Sequence, residues 1–245
     1  MPLAIITGSS RGLGLALARA LAERDWSLVI DARDPRVLER AARELGRITE
    51  VVALPGDVAD DWHRGALLDA AGDQVDLLVN NASLLGPSPQ PPLSRYPLEV
   101  LERVYQVNVL APLALTQLVL PRMPDGGAIV NVSSDASVEP YAGWGGYGSS
   151  KAALDQLTAI LAEEHPGLRI YSVDPGDMRT GMHQEAFPGE DISDIPPPED
   201  SVPGLLALIE GDNWMLPPDA RASSGFRASG RYVARELAPL QTTAR

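Results

Sequence analysis

Six short runs of apolar residues recur along the chain, and each is apolar at consecutive positions rather than at every second one. Continuous apolarity is typical of parallel β-strands that are buried on both faces of a sheet. A further run, RYV at 231–233, predicts one more strand near the C-terminus. The six runs are LAIIT (3–7), SLVID (27–31), VVAL (51–54), DLLVN (76–80), AIVNV (128–132) and RIYSV (169–173).

Segments with helical character lie between these runs, so that strand and helix alternate along the chain. This alternation favours right-handed βαβ units around one parallel sheet. We predict an α/β protein with a doubly wound parallel sheet of about six or seven strands and helices on both faces, forming a single domain over 1–245. The predicted helices are 12–24, 35–46, 60–71, 97–121 and 148–164.

Two stretches interrupt this alternation. GPSPQPP at 86–92 is a proline-rich loop, and the segment 177–203 is acidic, rich in proline and without periodicity. A loop that long inside a compact domain is usually functional or mobile. We therefore predict a substrate lid at about 177–203, with room for a short helix inside it.

Every predicted strand ends in small or polar residues. In an open parallel sheet, ligands bind beyond the carboxyl ends of the strands. Turns also prefer such residues, which explains any one strand end well but all six together poorly. The six ends are Thr7-Gly8, Asp31-Ala32-Arg33, Gly56-Asp57-Val58, Asn80-Asn81-Ala82-Ser83, Ser133-Ser134 and Asp174-Pro175-Gly176.

Composition narrows the classes of function. The chain has 245 residues and a formal net charge of −13, which argues against nucleic acid and against an anionic membrane as partners. No apolar run approaches the length of a membrane span. The chain has no cysteine, and His63, His165 and His183 are too few for a histidine-rich cluster, so we predict no metal site. The N-terminal LAIIT run leaves no room for a targeting peptide, and we expect a cytoplasmic protein.

The sequence TGSSRGLG at 7–14 places three glycines between a predicted strand and a predicted helix. Glycine lets the backbone turn sharply and lets a pyrophosphate approach the amides at a helix N-terminus. A glycine triplet alone is a weak signal, and the strand before it and the helix after it strengthen it. The motif therefore predicts a dinucleotide-binding turn.

Seven landmarks in order along nearly the whole chain resemble the shorter-subunit branch of the short-chain dehydrogenase/reductase family. The resemblance implies a Rossmann-type fold, an NAD(P) cofactor and oxidoreductase activity. Ser83 stands where the family usually has glycine, which we expect to tune the loop without abolishing the site. The lid and the C-terminal third match loosely, and they carry the choice of substrate. The landmarks are TGSSRGLG (7–14), GDV (56–58), NNAS (80–83), Asn108, IVNVSS (129–134), YGSSK (147–151) and PGDMRT (175–180).

Lys151 is the single lysine of the chain, and it follows Tyr147 by four residues. On a helix the two side chains would share one face. A fixed ammonium beside a phenol lowers the phenol pKa from about 10, which would make Tyr147 a general acid and base. The resemblance implies the same role and adds hydrogen bonds from Lys151 to the ribose hydroxyls. The alternative is a chance placement of the one lysine.

Ser134 is a further catalytic candidate, because its hydroxyl can hydrogen-bond the reacting oxygen. Ser133 and Ser137 compete for this role, and the resemblance favours Ser134. Asn108 lies in a long apolar predicted helix, where its amide either bonds a neighbouring helix or, as the resemblance implies, holds a water that links Lys151 to solvent.

The resemblance also implies which residues hold the cofactor. Asp57 and Val58 would hold the adenine, and Asn81 and Ala82 would lie along the adenosine. Pro175, Gly176, Met178 and Thr180 would clasp the nicotinamide carboxamide, although a turn at Pro175-Gly176 and an N-cap at Thr180 are alternative explanations for these residues. The full predicted set is Gly8, Ser10, Arg11, Gly12, Leu13, Gly14, Arg33, Asp57, Val58, Asn81, Ala82, Tyr147, Lys151, Pro175, Gly176, Met178 and Thr180.

The end of the second strand bears on the choice between NADP and NAD. An acidic residue there binds the ribose hydroxyls, whereas an arginine favours a 2′-phosphate. Register against the family puts Ala32 at the acidic position, with Asp31 one residue before it and Arg33 one after it. Arg11 offers a second positive group. We favour NADP, and a one-residue error in this register would reverse the choice to NAD.

These patterns predict an NADPH-dependent reductase of a small carbonyl compound, with the proton supplied by Tyr147. One alternative is an NAD-dependent alcohol dehydrogenase of the same family. Another is a non-catalytic dinucleotide-binding sensor or scaffold, which would not need Tyr147, Lys151 and Ser134. The resemblance further implies a homodimer or homotetramer that associates through the helices at 97–121 and 148–164.

Overall fold

A computed structural model describes residues 1–210 and 228–237. Within these ranges seven strands form one parallel sheet in the order β3-β2-β1-β4-β5-β6-β7. The strand order reverses beside β1, which pairs with β2 on one side and with β4 on the other. The strands are β1 Leu3–Ile6, β2 Ser27–Ala32, β3 Val51–Pro55, β4 Leu77–Asn80, β5 Ala128–Val132, β6 Arg169–Asp174 and β7 Gly230–Val233. The predicted sheet, including its C-terminal strand, is confirmed.

Helices connect the strands and cover both faces of the sheet. The predicted helix at 97–121 is broken by a π-helical turn, Gln106–Leu110, and α8 is a helix that the sequence analysis misses. The α-helices are α1 Gly12–Ala22, α2 Pro35–Leu45, α3 Asp61–Ala71, α4 Leu98–Tyr105, α5 Ala111–Val119, α6 Gly145–Glu164, α7 Gly181–Ala186 and α8 Val202–Glu210. Short 3-10 turns occupy Leu93–Arg95, Leu120–Arg122, Asp135–Ser137, Pro198–Ser201 and Ala234–Glu236.

Successive strand residues enter two different cores. Ile6 and Ile30 pack against α1, α2 and α8, whereas their neighbours Ile5 and Val29 pack against α3, α5 and α6. Side chains in a strand alternate between faces, so a strand that is apolar throughout can be buried on both sides. The two helical layers leave the carboxyl edge of the sheet open for a ligand.

The helical run Leu98–Arg122 corrects the expectation that no apolar run approaches the length of a membrane span. It has 25 residues and is long and apolar enough to cross a membrane by length and composition. Half of its apolar window is buried inside the protein, and Leu115 and Val119 belong to the second core. Core helices pass the same test of length and composition, so the expected lack of a membrane partner stays a prediction.

Candidate active site

The turn between β1 and α1 has the form of an anion-binding loop. Gly8 and Gly12 have φ angles of 65° and 58°, in the left-handed region that favours glycine. Asp34 and Asp60 cap α2 and α3 with their side chains. At α1, in contrast, no side chain among the described residues caps the first turn, and that turn holds no acid. Its free amide groups and positive end suit a pyrophosphate.

The side chain of Asn81, which follows β4, holds this turn in place through hydrogen bonds. Its Nδ2 donates to the carbonyl oxygens of Thr7 at 2.8 Å and Gly8 at 3.1 Å. A Cβ atom on Gly14 would lie 2.6 Å from the same Nδ2 and 2.7 Å from the Gly8 oxygen. Gly14 is therefore required for close packing, and the Asn81 amide holds the loop.

A cavity of about 380 Å³ follows the carboxyl edge of the sheet from β3 to β6. It brings together most of the predicted cofactor residues and both Tyr147 and Lys151. The predicted residues on its wall are Gly8, Ser10, Arg11, Gly12, Leu13, Arg33, Asp57, Val58, Asn81, Ala82, Tyr147, Lys151, Pro175, Met178 and Thr180. A cavity that spans several strand ends and has a glycine turn in its wall fits a dinucleotide.

A smaller cavity of about 100 Å³ adjoins the first one at Tyr147. Ser134 and Gly176 line this smaller cavity, together with Trp144 and with Met182 and His183 of α7. Asn108 and Gly14 line neither of the two. The tyrosine phenol thus lies where a cofactor cavity meets a pocket of small-molecule size.

Tyr147 and Lys151 are buried one turn apart near the start of α6. The Lys151 Nζ atom donates to the carbonyl oxygen of Val132 at 2.7 Å and lies 5.5 Å from the centre of the Tyr147 ring. Burial raises the pKa of Tyr147 to about 12, although hydrogen bonds with the Ser83 and Ser134 hydroxyls lower it. Burial also lowers the pKa of Lys151 to about 8.

The predicted sign of the Tyr147 pKa shift is therefore wrong. A nearby ammonium alone would lower the phenol pKa, but desolvation in the protein disfavours the charged forms of both Tyr147 and Lys151 and is the largest cause of both shifts. A phenol with a raised pKa is fully protonated at neutral pH. This arrangement suits Tyr147 as a proton donor, with the Lys151 amine as the nearby group that titrates near neutrality.

Lys151 makes the stability of the fold depend on pH. The unfolded chain keeps the lysine proton up to about pH 10.5 and the folded protein up to about pH 8, so the unfolded state binds more protons between them. The free energy of unfolding should therefore rise with pH in this window, by at most about 1.4 kcal/mol per pH unit. Urea unfolding at about pH 8, 8.5 and 9, below the range in which tyrosine titrates, measures it.

The composition makes this measurement specific. The chain has no cysteine and no second lysine, and tyrosine, with its pKa of about 10, titrates mainly above pH 9, so no other side-chain type has its ordinary pKa between pH 8 and 9. In the Lys151→Met variant the slope should disappear, leaving only the contribution of the N-terminal amine. An equal slope in the variant and the wild type would contradict the assignment.

The three competing serines are distinguished by their contacts. The Ser134 hydroxyl donates to Asp135 Oδ1 at 2.8 Å, lines the smaller cavity together with Tyr147 and lies close enough to the phenol to lower its pKa. The Ser133 and Ser137 hydroxyls are buried and have no hydrogen-bond partner in the described part of the chain. Geometry thus favours Ser134, whose catalytic role stays a prediction.

Asn108 lies in the π-helical turn, a distortion frequent at functional sites. Its Oδ1 accepts from the Leu84 amide at 2.8 Å and the Ser83 hydroxyl at 3.2 Å, and its Nδ2 donates to Ser150 Oγ at 2.9 Å. The Ser150 hydroxyl donates in turn to the Tyr147 carbonyl at 2.6 Å. The Asn108 side chain therefore connects the loop after β4 to α6. Its predicted link to a water molecule stays a prediction.

Arg231 of β7 is a site residue that the sequence analysis misses. Its guanidinium donates to the Ser134 carbonyl at 3.1 Å and contacts Asp155 of α6 at 3.2 Å and Asp174 of β6 at 3.5 Å. It thereby joins the Ser134 loop to the helix that carries Tyr147. No local motif marks this residue, because its partners lie 57 or more positions away in sequence.

The predicted lid segment contributes α7, whose first turn is capped by the Thr180 hydroxyl. Thr180 is therefore both an N-cap and a cavity residue. Phe187 packs against Trp144 with ring centres 5.8 Å apart, and Trp144 packs edge-on against Tyr147 at 5.9 Å. The segment thus lines the smaller cavity with Met182 and His183 and packs Phe187 against Trp144 of the cavity wall. Its function as a moving lid stays a prediction.

The residues at the adenosine end make contacts that the sequence does not reveal. Asp31 is 2% exposed, with one oxygen accepting from the Gly8 amide at 2.6 Å and the other 3.0 Å from His63 Nε2. Arg33 is exposed. Asp57, predicted to hold the adenine, forms an ion pair with Arg103 of α4.

Comparisons with known proteins agree with this architecture. A family model described as short chain dehydrogenase matches residues 2–191. The chain is 31% identical over 232 residues to the uncharacterized oxidoreductase YciK of Escherichia coli strain K12, covering 91% of this chain and 88% of that protein.

Solved structures extend the similarity to the fold. A short chain dehydrogenase from Pseudomonas syringae matches with a TM-score of 0.82 and 30% identity, covering 95% of this chain and 94% of the other. A short chain dehydrogenase from Escherichia coli CFT073, complexed with NADPH, matches with a TM-score of 0.78 and 29% identity over 96% of each chain.

The parallel sheet, the glycine turn and the buried tyrosine beside a cavity at the carboxyl edge of the sheet define an oxidoreductase that uses a nicotinamide cofactor. The family model matches most of the length of the chain and makes this assignment more specific. The chain belongs to the short-chain dehydrogenase/reductase family. It is an enzyme of the kind that acts on alcohol and carbonyl groups with NAD(P). The predicted family and fold are thereby confirmed.

Proposed function

We propose that this enzyme reduces a small carbonyl compound with NADPH. The observation that carries the proposal is the position of the Tyr147 phenol at the junction of the two cavities, within hydrogen-bonding reach of Ser134. A bound nicotinamide supplies a hydride for the carbonyl carbon. The protein must hold the carbonyl oxygen, give it a proton and keep water from competing.

Each of these tasks falls to a described group. The Ser134 hydroxyl would hydrogen-bond the carbonyl oxygen, and the Tyr147 phenol would donate the proton that completes the alcohol. Lys151, with its pKa lowered to about 8, would stabilise the phenolate that this transfer leaves and would hold the ribose hydroxyls. The Trp144 and Met182 side chains on the smaller cavity would shield the reaction from water.

The groups after β2 favour NADPH over NADH. The Asp31 carboxylate is turned inward onto Gly8 and His63, so neither oxygen faces the ribose. Arg33 is exposed on the wall of the same cavity, and Arg11 stands in the glycine turn. Two guanidinium groups suit a 2′-phosphate, because the Asp34 carboxylate on the same wall is engaged by the backbone amides of Arg36 and Val37. The similar structure from Escherichia coli complexed with NADPH supports the same choice.

A nucleotide-oxidation screen tests the proposal. Ketones, aldehydes and quinones are supplied with NADPH and, in parallel, with NADH, and the loss of absorbance of the reduced nicotinamide is followed. We expect turnover of at least one carbonyl class, with kcat/KM for NADPH at least about tenfold above that for NADH, equivalent to about 1.4 kcal/mol. Preference for NADH would favour the alternative of an NAD-dependent alcohol dehydrogenase. Binding of nucleotide without turnover of any carbonyl or alcohol would favour a non-catalytic sensor.

The predicted homodimer or homotetramer is part of the same proposal. Leu110 and Leu118 are 56% and 36% exposed on the helical run Leu98–Arg122, and Ile160 is 44% exposed on α6. Exposed apolar side chains on two helices support self-association through these surfaces. Sedimentation equilibrium measures the oligomeric state.

A further inference from the structure

Asp31 and His63 form a buried hydrogen-bonded pair beneath the adenosine end of the large cavity. The side chains are 2% and 6% exposed, and the Asp31 Oδ2 atom lies 3.0 Å from the His63 Nε2 atom. The other carboxylate oxygen accepts from the Gly8 amide at 2.6 Å. Asp31 lines the cavity, so it is close to the cofactor yet has both oxygens engaged away from it.

The position of the His63 ring depends on the residue that follows β3. A Cβ atom on Gly56 would collide with the imidazole. The φ of Gly56 is not in the left-handed region, so the glycine there provides room rather than conformational freedom. The ring of His63 thus enters from α3 through a gap that Gly56 leaves, directly beside Asp57 and Val58 on the cavity wall.

The charge of Asp31 bears directly on which cofactor fits. Burial raises the pKa of its carboxyl, the hydrogen bonds from His63 and Gly8 lower it, and the nearby charge of Asp57 raises it. A carboxylate that faces the ribose accepts hydrogen bonds from its hydroxyls and repels a 2′-phosphate. A carboxylate held inward does neither, which leaves the exposed Arg33 free to meet the phosphate.

We propose that His63 is a specificity-determining residue, which holds Asp31 away from the ribose and so makes the site select the 2′-phosphate of NADP. This inference rests on the proposed use of NADPH. His63 does not line the cavity, and it acts on the cofactor only through Asp31. It is a positioning residue whose removal changes selectivity between two nucleotides that differ only in the 2′-phosphate.

Replacing His63 with leucine tests the inference. The apolar side chain fills a similar space but donates no hydrogen bond, so the Asp31 carboxylate loses the partner of one oxygen and is free to turn toward the ribose. We expect the ratio of the dissociation constants of NADH and NADPH to fall by about tenfold or more, which corresponds to about 1.4 kcal/mol. Equilibrium binding of each nucleotide, followed by nicotinamide fluorescence, measures the ratio without any substrate.

Two further variants separate selectivity from folding. His63→Gln keeps a side-chain N–H donor toward Asp31, and we expect it to keep the wild-type ratio within about threefold. In the double variant Asp31→Asn, His63→Leu, the position carries no charge, and the preference for NADPH should return.

The outcomes are distinct. If His63→Leu leaves the ratio of the two dissociation constants unchanged, the inference is overturned. It is also overturned if His63→Leu weakens the binding of both nucleotides equally and the double variant does not restore their binding. A wild type that binds neither nucleotide contradicts the proposed function itself. A wild type that prefers NADH contradicts the choice of NADPH.

Discussion

Replacing Tyr147 with phenylalanine is expected to lower kcat by about 10²- to 10⁴-fold while the dissociation constant of the nucleotide stays nearly unchanged. The ring keeps its packing against Trp144, 5.9 Å away, so the cavity wall survives and only the proton donor is lost. The measurement combines steady-state turnover of the best carbonyl from the screen with equilibrium binding of NADPH.

The chain offers a matched control in Tyr105→Phe, which removes the same hydroxyl at the end of α4, outside both cavities. Activity of this variant should stay within about threefold of the wild type, the effect usual for a surface change. Wild-type turnover in Tyr147→Phe would mean that another group supplies the proton. That result would contradict the proposed mechanism but would leave the family assignment unchanged.

Replacing Gly14 with valine is expected to abolish nucleotide binding. Even a single Cβ atom there would lie 2.6 Å from Asn81 Nδ2, 2.7 Å from the Gly8 oxygen and 2.9 Å from the Ser9 Cα atom. Two of these three atoms belong to the backbone, so the turn itself must move. Its amide groups would then no longer point toward a bound pyrophosphate. We expect a rise in the dissociation constant of at least about 100-fold, or about 2.7 kcal/mol, measured by titration calorimetry.

Gly65 supplies the control, because it lies inside α3 and a Cβ atom there would meet nothing within 4 Å. Gly65→Ala should bind nucleotide normally and should be more stable by about 0.5–1 kcal/mol, since alanine is the better helix former. Near-normal binding in Gly14→Val would show that the turn is not the phosphate-binding element. A valine variant that fails to fold is recognised by its circular dichroism, and Gly14→Ala then serves as the milder test.

Much of the fold is predictable because its signals are local. The inner strands β1, β2, β4, β5 and β6 are mostly apolar at consecutive positions, and burial on both faces demands that pattern. The edge strands β3 and β7 are partly exposed, and the pattern in β7 is the weaker one. α8 escapes prediction because Pro203 and Gly204 near its start look like a turn. In the structure Gly204 is there for a different reason, since a Cβ atom on it would collide with the Ala234 carbonyl oxygen.

The residues of the candidate site also differ in how far the sequence predicts them, depending on whether their signals are local or distant. The glycine turn and the pair Tyr147 and Lys151 stand in short motifs, so sequence alone is enough to find them. Arg231 and the contact between Asp31 and His63 join distant segments and carry no motif. The sign of the Tyr147 pKa shift fails for a related reason, because desolvation is set by everything that packs around a group and not by its helical neighbour.

The single buried lysine gives this enzyme a built-in spectroscopic reporter. Lys151 is the chain's one side-chain amine, so isotope-labelled lysine introduces one ammonium resonance and one set of methylene signals into an NMR spectrum. Those signals report on the ammonium that donates to the Val132 carbonyl oxygen at 2.7 Å, on the wall of the large cavity beside Tyr147. Protonation, cofactor arrival and turnover can thus be followed at one atom without assigning any other part of the protein.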